Sequence, residues 1–122
     1  MDSTTRLILQ LGDGAQTRMV AIPVKERMVI GRGGADEGAT PDLDFSAFDA
    51  SALGMSRLHA AFTYRDEALY IEDLNSTNGT RINGFTIRPQ RPYRLRNGDE
   101  LQFGDFRMSI RLAHLAGDGR LS

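Results

Sequence analysis

The sequence predicts an all-β domain, either a sandwich or a barrel, from three observations. Short runs of residues alternate between apolar and polar, which is typical of strands with one buried face. Three of the four asparagines stand directly before a glycine, a pair that favours tight turns. No stretch shows a sustained helical period. Short strands at regular spacing, divided by turn residues, are characteristic of sandwiches and barrels.

The predicted strands follow one another along the whole chain. The clearest covers residues 106–112, where four apolar residues face one way and Arg107, Ser109 and Arg111 face the other. Seven arginines between residues 81 and 111 alternate with apolar residues, so most of them are expected on solvated faces. Eight runs are predicted to be strands: residues 5–11, 19–22, 28–30, 59–64, 69–72, 93–95, 100–103 and 106–112.

Asn-Gly pairs mark three of the predicted turns. A type I′ hairpin turn requires positive φ at both central residues, and asparagine and glycine tolerate that better than other residues. We therefore expect hairpin turns at Asn78-Gly79, Asn83-Gly84 and Asn97-Gly98.

One segment, residues 33–56, interrupts this regular pattern. Its glycines and its proline predict a loop in the first half, whereas residues 46–53 are predicted to form one or two helical turns with Ser46 as the N-cap. No other helix is expected. The segment lacks basic residues and contains five acidic ones: Asp36, Glu37, Asp42, Asp44 and Asp49.

Length and composition exclude several classes of protein. A chain of 122 residues predicts one domain over residues 1–122, with frayed ends at 1–4 and 117–122. The absence of cysteine excludes disulfide scaffolds, thiolate metal sites and thiol catalysis. A net charge of −1 gives no general reason to bind nucleic acid or a membrane surface, and no apolar run is long enough for a transmembrane helix. We therefore expect a cytoplasmic protein without a metal or cofactor.

Polar residues and glycines gather at three predicted strand ends, at residues 30–32, 56–59 and 73–80. Loops at the ends of strands commonly carry recognition sites. A phosphate dianion binds well to the planar donor fork of arginine, together with hydroxyls and backbone amides. Each motif is ordinary by itself, but their combination favours a phosphate site. The side chains that could supply donors are Arg32, Arg57, Ser56, Ser76 and Thr77.

The order of these motifs resembles that of the forkhead-associated (FHA) domain family. The motifs are Gly31-Arg32, Ser56-x-x-His59, Asn-Ser-Thr-Asn-Gly-Thr at residues 75–80, and Asn83-Gly84. A later Leu-x-x-Gly-Asp-x-Leu-x-x-Gly at residues 95–104 also matches, so the motif-bearing core covers about residues 28–112. The resemblance implies a β-sandwich of about eleven strands that binds phosphothreonine-containing segments of partners in Ser/Thr kinase signalling.

The resemblance also implies roles for individual residues. Arg32 corresponds to the arginine that grips the phosphate, and Ser56 to the serine whose hydroxyl and amide meet it. Arg57 occupies a position that often supplies a second phosphate contact. Thr77 corresponds to the hydroxyl residue of the second phosphate loop. Asn78 corresponds to the asparagine whose carboxamide holds the backbone of the bound peptide, a task that suits an amide because it has both donors and an acceptor.

The remaining motif residues, Gly31, His59, Ser76 and Gly79, are expected to support these loops rather than touch the ligand. The main departure from the family pattern is the acidic segment, since 23 residues separate Arg32 from Ser56. That segment is either a solvated loop without a role or a surface that attracts basic residues flanking the phosphothreonine. In both cases its carboxylates are expected to point away from the phosphate.

Two other functions are weighed against phosphothreonine binding. The first is an interaction or self-association domain of the same fold that acts independently of phosphate. The second is an enzyme, which the sequence disfavours because it contains no cysteine, no Gly-x-x-x-x-Gly-Lys loop, no His-Glu-x-x-His and no Gly-x-Ser-x-Gly. The sequence carries no signal for an oligomeric state.

Overall fold

A computed structural model describes residues 5–12, 17–34, 40–48 and 50–114. The ends predicted to fray lie outside these ranges, as do Asp36, Glu37 and Asp49 of the acidic segment. The described residues contain one 3₁₀ turn, Ser46–Phe48, and eleven strands. The strands are β1 (Thr5–Leu11), β2 (Arg18–Pro23), β3 (Arg27–Gly31), β4 (Leu43–Asp44), β5 (Ala60–Arg65), β6 (Ala68–Asp73), β7 (Thr80–Ile82), β8 (Phe85–Thr86), β9 (Tyr93–Leu95), β10 (Glu100–Phe103) and β11 (Phe106–His114).

The strands form two sheets, which confirms the predicted all-β sandwich. The six-stranded sheet has the order β2-β1-β11-β10-β7-β8, and the five-stranded sheet has the order β4-β3-β5-β6-β9. All strand pairs are antiparallel except β3 with β4, which are parallel. The chain crosses between the sheets three times after β6, so loops from both sheets meet at the ends of the sandwich.

The apolar core lies between the two sheets, as the alternating pattern predicts. In β11, Phe106, Met108 and Ile110 are buried while Arg107 and Arg111 are exposed. The largest fully buried side chains include Phe62 from the five-stranded sheet and Phe103 from the six-stranded one. Burying such a side chain contributes about 1.5–3 kcal/mol to folding. The strand ends that carry the polar motifs are therefore fixed by a continuous core.

Three strands, β4, β7 and β8, were not predicted, and each of them has only two or three residues. One or two helical turns were expected at residues 46–53, and the described residues there contain one 3₁₀ turn, Ser46–Phe48. The N-cap prediction is also wrong, since Ser46 is the first residue of the turn and its own N–H donates to the Asp44 carboxylate at 2.9 Å. No helix in the described ranges is long and apolar enough to cross a membrane.

The Asn-Gly turns are of two kinds. Asn83-Gly84 forms a hairpin turn between β7 and β8, with φ of 50° and 86°. The hairpin predictions for Asn78-Gly79 and Asn97-Gly98 are wrong, because these pairs connect strands of different sheets and only the glycines have positive φ. The hairpin between β5 and β6 instead turns through Asp66 and Glu67, with φ of 51° and 62°, although neither is a glycine or an asparagine.

Candidate functional site

Four loops, residues 31–34, 53–58, 74–79 and 104–105, meet at one end of the sandwich, and together with the adjoining His59, Asp73 and Thr80 they form what we call the loop cluster. Backbone hydrogen bonds join the first two loops, from Arg32 N–H to the Ser56 carbonyl at 3.1 Å and from Gly33 N–H to the Arg57 carbonyl at 3.2 Å. The 104–105 loop bonds to both of its neighbours, through Gly104 N–H to the Gly79 carbonyl at 3.1 Å and through Asp105 N–H to the Leu53 carbonyl at 2.6 Å. The motifs that are separate in sequence therefore share one surface.

Gly31 allows the first two loops to approach so closely. A Cβ atom at this position would lie 1.8 Å from the Arg57 carbonyl oxygen, a distance that no side chain can adopt. Gly31 is buried, and its carbonyl accepts the N–H of Phe45 at 2.9 Å. Its close packing fits the supporting role that the sequence predicts.

Arg32 is half-buried and is fixed by two backbone carbonyls. Its Nε–H donates to Met55 at 2.9 Å, and its Nη1 donates to Gly33 at 3.3 Å. Neither bond uses Nη2, so this part of the guanidinium remains available to an anion. The bonds orient the group before any ligand arrives, which reduces the entropy lost on binding.

Ser56 connects the arginine loop to the 74–79 loop. Its hydroxyl oxygen accepts the backbone N–H of Thr77 at 3.1 Å, while its carbonyl accepts Arg32 N–H. The hydroxyl proton of Ser56 is not used in the bond to Thr77, so it can be donated to a ligand oxygen. The Thr77 side chain is exposed beside it. Hydrogen bonds of Ser56 thus join Arg32 and Thr77, so three residues predicted to contact the phosphate lie next to one another.

Asn78 and Arg57 are both exposed on this surface. The Asn78 carboxamide donates from Nδ2 to the Gly54 carbonyl at 2.9 Å, so it also holds the 53–58 loop. The Arg57 side chain runs across Gly34, where a Cβ atom would lie 2.8 Å from Arg57 Cδ. The absence of a side chain on Gly34 makes room for the arginine.

His59 lies directly beneath the loops and is fully buried. Its Nδ1 accepts the Ser56 N–H at 2.9 Å, so its proton is on Nε2, which donates to the Gly79 carbonyl at 2.9 Å. Burial lowers the pKa of His59, against the opposing effects of the Gly79 carbonyl and the Asp73 charge. The ring also makes an edge contact with Phe103, with centroids 5.3 Å apart. A neutral histidine therefore ties the 53–58 loop to the 74–79 loop.

Asp73 is the residue of this site that sequence reasoning missed. It is 1% exposed, and its carboxylate accepts bonds from the Ser76 N–H at 2.9 Å, the Ser76 hydroxyl at 2.5 Å and the Thr80 hydroxyl at 2.6 Å. Burial alone would raise the pKa of Asp73, but these bonds and the nearby His59 lower it. The signal that could have identified it is Asp-x-x-Ser, a spacing typical of aspartates that organise a turn.

Ser76 and Gly79 complete this buried arrangement. The Ser76 hydroxyl donates to Asp73 and accepts the Gly79 N–H at 3.0 Å. The Gly79 carbonyl in turn accepts bonds from His59 and from Gly104 N–H. Both residues therefore shape the 74–79 loop from within, as expected of supporting residues.

The described part of the acidic segment is engaged in local structure. Asp42 accepts the Val29 N–H at 2.7 Å, and Asp44 caps the 3₁₀ turn. The Asp44 carboxylate also lies beside Gly33, where a Cβ atom would be 3.0 Å from it. Among the described residues, no group of three or more acidic, histidine or cysteine side chains is placed to hold a metal ion.

Comparison with known proteins identifies the family. A family model for the FHA domain matches residues 28–104. The FraH protein of Nostoc sp. is 40% identical over 76 residues, which cover 62% of this chain and 26% of FraH. The FHA domain-containing protein FhaA of Mycobacterium tuberculosis is 29% identical over 109 residues, which cover 88% of this chain and 18% of FhaA. The matches thus span about a quarter or less of these relatives.

A similar solved structure comes from a structural and functional analysis of phosphothreonine-dependent FHA domain interactions. It matches with a TM-score of 0.63 and 26% identity, covering 87% of this chain and 95% of the other. The similarity in strand arrangement agrees with the family match, which extends over more than half of the sequence. This chain therefore belongs to the FHA domain family, as the order of its motifs predicts.

Proposed function

We propose that this domain binds phosphothreonine-containing segments of partner proteins, and so acts as an interaction module in Ser/Thr kinase signalling in the cytoplasm. The observation that carries the proposal is the position of Ser56, which is bonded to Arg32 through its carbonyl and to Thr77 through its hydroxyl. This arrangement brings a guanidinium, two hydroxyls and backbone amides to one exposed surface.

The chemistry of that surface suits a phosphate monoester. A phosphothreonine carries a charge of about −1.5 to −2 at pH 7 and three strong acceptor oxygens. The Nη2 group of Arg32 and the hydroxyls of Ser56 and Thr77 are donors, and exposed Arg57 supplies a second positive charge. Asn78 would then hold the peptide backbone beside the phosphate, using the donor and acceptor atoms of its carboxamide that Gly54 does not engage.

Binding is a better proposal than catalysis for this site. The one histidine in the loop cluster is fully buried, and both of its ring nitrogens are engaged by backbone groups of Ser56 and Gly79. A general base must reach the proton that it removes. His59 has no exposed nitrogen with which to do so.

Support also comes from the similar structure described in connection with phosphothreonine-dependent FHA domain interactions. One contact favours the alternative of a phosphate-independent interaction domain, because the bond from Asn78 Nδ2 to the Gly54 carbonyl gives this residue a structural use that needs no ligand. The two functions differ in a simple way, since only the first requires a phosphate on the partner.

A binding titration with three peptides of identical flanking sequence tests the proposal, with phosphothreonine, phosphoserine or threonine at the central position. Only the phosphothreonine peptide should bind, and Arg32→Ala should weaken that binding at least tenfold, because truncating one partner of a desolvated charge pair costs about 2–5 kcal/mol. Arg32→Lys should restore little, since lysine lacks the planar fork.

The matched control is Arg94→Ala, which removes an exposed arginine from β9 in the five-stranded sheet. It should leave peptide affinity unchanged. Equal binding of the threonine and phosphothreonine peptides would refute the proposal and favour the phosphate-independent alternative.

A further inference from the structure

The outer face of the six-stranded sheet carries a group of arginines that the proposed phosphate site does not use. Arg81 of β7 and Arg107 of β11 both lie opposite Gln102 of β10, so the three residues form a row across the sheet. Arg111 follows on the same face of β11, beyond Ser109. Arg6 of β1 lies on this face too, opposite Ala113. We call Arg81, Arg107 and Arg111 the arginine face.

The arginines of this face have no acidic partner among the residues that the structure describes. Glu100 is the one acidic residue at an outward position in the strands of this sheet. Arg81, Arg107 and Arg111 are exposed, and none of them forms an ion pair with any residue that the structure describes. Positive charge is thus concentrated on one face of a chain whose net charge is −1.

Three arginines lie in the strands of the opposite sheet, and two of them have partners within the domain. Arg27 pairs with Glu72 at 3.3 Å, and the Arg65 guanidinium lies over the ring of Tyr70, 5.1 Å from its centroid. These two arginines have partners within the domain. The third, Arg94, is exposed and forms no ion pair with a described residue. The arginine face differs because it groups three such arginines on one surface, an arrangement that suits an external acidic partner.

The arginine face is continuous with the loop cluster. A surface depression of about 280 Å³ is lined by Leu53, Gly54, Asn78, Arg81 and Asp105, among others. Asn78 belongs to the proposed peptide site, whereas Arg81 begins the row across the sheet. Two strand spacings separate Arg81 from Arg107, which is about 10 Å. An extended peptide covers that distance with about three residues.

We propose that the phosphorylated partner carries an acidic stretch outside its phosphothreonine motif, and that this stretch binds the arginine face. The proposal rests on the proposed function, because the phosphothreonine anchors the segment in the loop cluster. The acidic stretch then leaves past Asn78, crosses the depression and places carboxylates on Arg81, Arg107 and Arg111. Each exposed ion pair is weak, so several carboxylates are needed for a measurable gain.

An acidic protein segment fits this face better than a nucleic acid. Single-stranded nucleic acids are usually held by aromatic side chains that stack on the bases. On the face of the six-stranded sheet that carries the arginines no residue is aromatic, because the exposed Phe85 of β8 lies on the other face, opposite Ile82. Glu100 also lies among the arginines. A flexible peptide can place its carboxylates on separate arginines without contacting Glu100.

The test compares a short phosphothreonine peptide with longer versions of it. Two of these carry four acidic residues beginning about five positions from the phosphothreonine, one on the N-terminal side and one on the C-terminal side. Two controls carry Asn and Gln in place of the acids. One acidic version should bind about tenfold more tightly than the short peptide at about 50 mM salt. The gain should largely disappear at about 0.5 M salt, because ions screen exposed charges.

Charge-reversal variants test whether the gain in affinity from the acidic stretch depends on the arginine face. Arg107→Glu and Arg111→Glu should abolish the gain from the acidic stretch and leave the affinity for the short peptide unchanged. Arg94→Glu makes the same change in charge on the opposite sheet, so it should retain most of the gain. A gain that survives Arg107→Glu and Arg111→Glu would overturn the inference.

The possible failures are distinguishable. If the short phosphothreonine peptide does not bind, the proposed function fails and the inference fails with it. If the short peptide binds but neither acidic stretch adds more than twofold, only the inference is wrong. A single-stranded oligonucleotide that binds this face more tightly than the acidic stretch would also contradict it.

Discussion

The loop cluster contains two layers of polar residues that differ in burial. The buried layer consists of His59, Asp73 and Thr80, each at most 1% exposed. Above it lies a rim whose side chains are half-buried or exposed: Arg32, Ser56, Arg57, Thr77 and Asn78. Both layers consist of hydrogen-bonding groups, and both lie at the same end of the sandwich. Their partners nevertheless differ, because the buried layer bonds to the protein whereas the rim retains donors that face solvent.

This difference assigns separate tasks to the two layers. In the described residues, no buried side-chain nitrogen or oxygen lacks a hydrogen-bond partner. Removing one member of the buried layer leaves its partners unsatisfied away from water, which is costly to the folded state. The rim side chains are half-buried or exposed, so removing one of them should cost the folded state less. We therefore expect substitutions in the buried layer to reduce stability and substitutions in the rim to reduce binding.

The largest effect is expected from Asp73→Ala. The change removes the acceptor for the Ser76 N–H, the Ser76 hydroxyl and the Thr80 hydroxyl. Hydrogen bonds to a charged group contribute about 1.5–3 kcal/mol each and are not additive, so the loss should be about 3–5 kcal/mol. Urea denaturation followed by circular dichroism measures it.

Asp105→Ala is the control for that substitution, because it removes an exposed carboxylate from the same end of the sandwich. Its effect on the free energy of unfolding should stay within about 0.5 kcal/mol. If Asp73→Ala were no more destabilising than Asp105→Ala, the distinction between the layers would be lost.

Thr80→Val should have the next largest effect. Valine has nearly the shape of threonine, so the substitution removes the hydroxyl donor to Asp73 without creating a cavity. Leaving the carboxylate with one donor fewer should cost about 1–3 kcal/mol of stability. At a temperature where the variant remains folded, its affinity for a phosphothreonine peptide should stay within about twofold of the parent, since Thr80 is fully buried. A loss of affinity without a loss of stability would contradict the assignment of Thr80 to the buried layer.

Acidification also distinguishes the buried layer from the rim. Burial lowers the pKa of His59 below its ordinary value of 6.5, so the unfolded chain takes up a proton at a higher pH than the folded domain does. The free energy of unfolding should therefore fall as the pH drops below about 6.5. The lowered pKa of Asp73 acts in the same direction at lower pH, because the stability it provides is present above 3.8 and is lost as the pH falls further.

Urea denaturation at several pH values between 7.5 and 5.5 measures this slope. His59→Gln should make the slope shallower, because glutamine does not titrate in that range. A free energy of unfolding that does not change with pH in the parent protein would show that His59 does not contribute in this way.

The two layers also differ in how well the sequence predicts them. Arg32, Ser56 and Thr77 were predicted as phosphate contacts because their motifs occur in a recognisable order and their donors suit a phosphate. His59 of the buried layer was predicted as a support from the same motifs. Asp73 was given no role, because an aspartate at a strand end is ordinarily a surface residue. Its burial depends on packing between two sheets, together with His59, and a local pattern does not show such contacts.

The fold shows the same division between local and long-range signals. Strand β11 was predicted from its alternation of apolar and polar residues over 106–112. Strands β4 and β8 have two residues each, so they depend on pairing with β3 and β7 rather than on their own pattern. The turn at Asp66 and Glu67 lacks a glycine, since pairing between β5 and β6 imposes the positive φ there.

The smallest effect is expected from Thr77→Val, which forms a matched pair with Thr80→Val. Thr77→Val makes the same chemical change three residues earlier, at an exposed position in the rim. The backbone bond from Thr77 N–H to Ser56 is retained, so stability should change by less than about 0.5 kcal/mol. The affinity for a phosphothreonine peptide should fall about three- to tenfold, as expected for the loss of one neutral donor. If Thr77→Val instead destabilised the fold as much as Thr80→Val and left affinity unchanged, burial would not separate the two tasks.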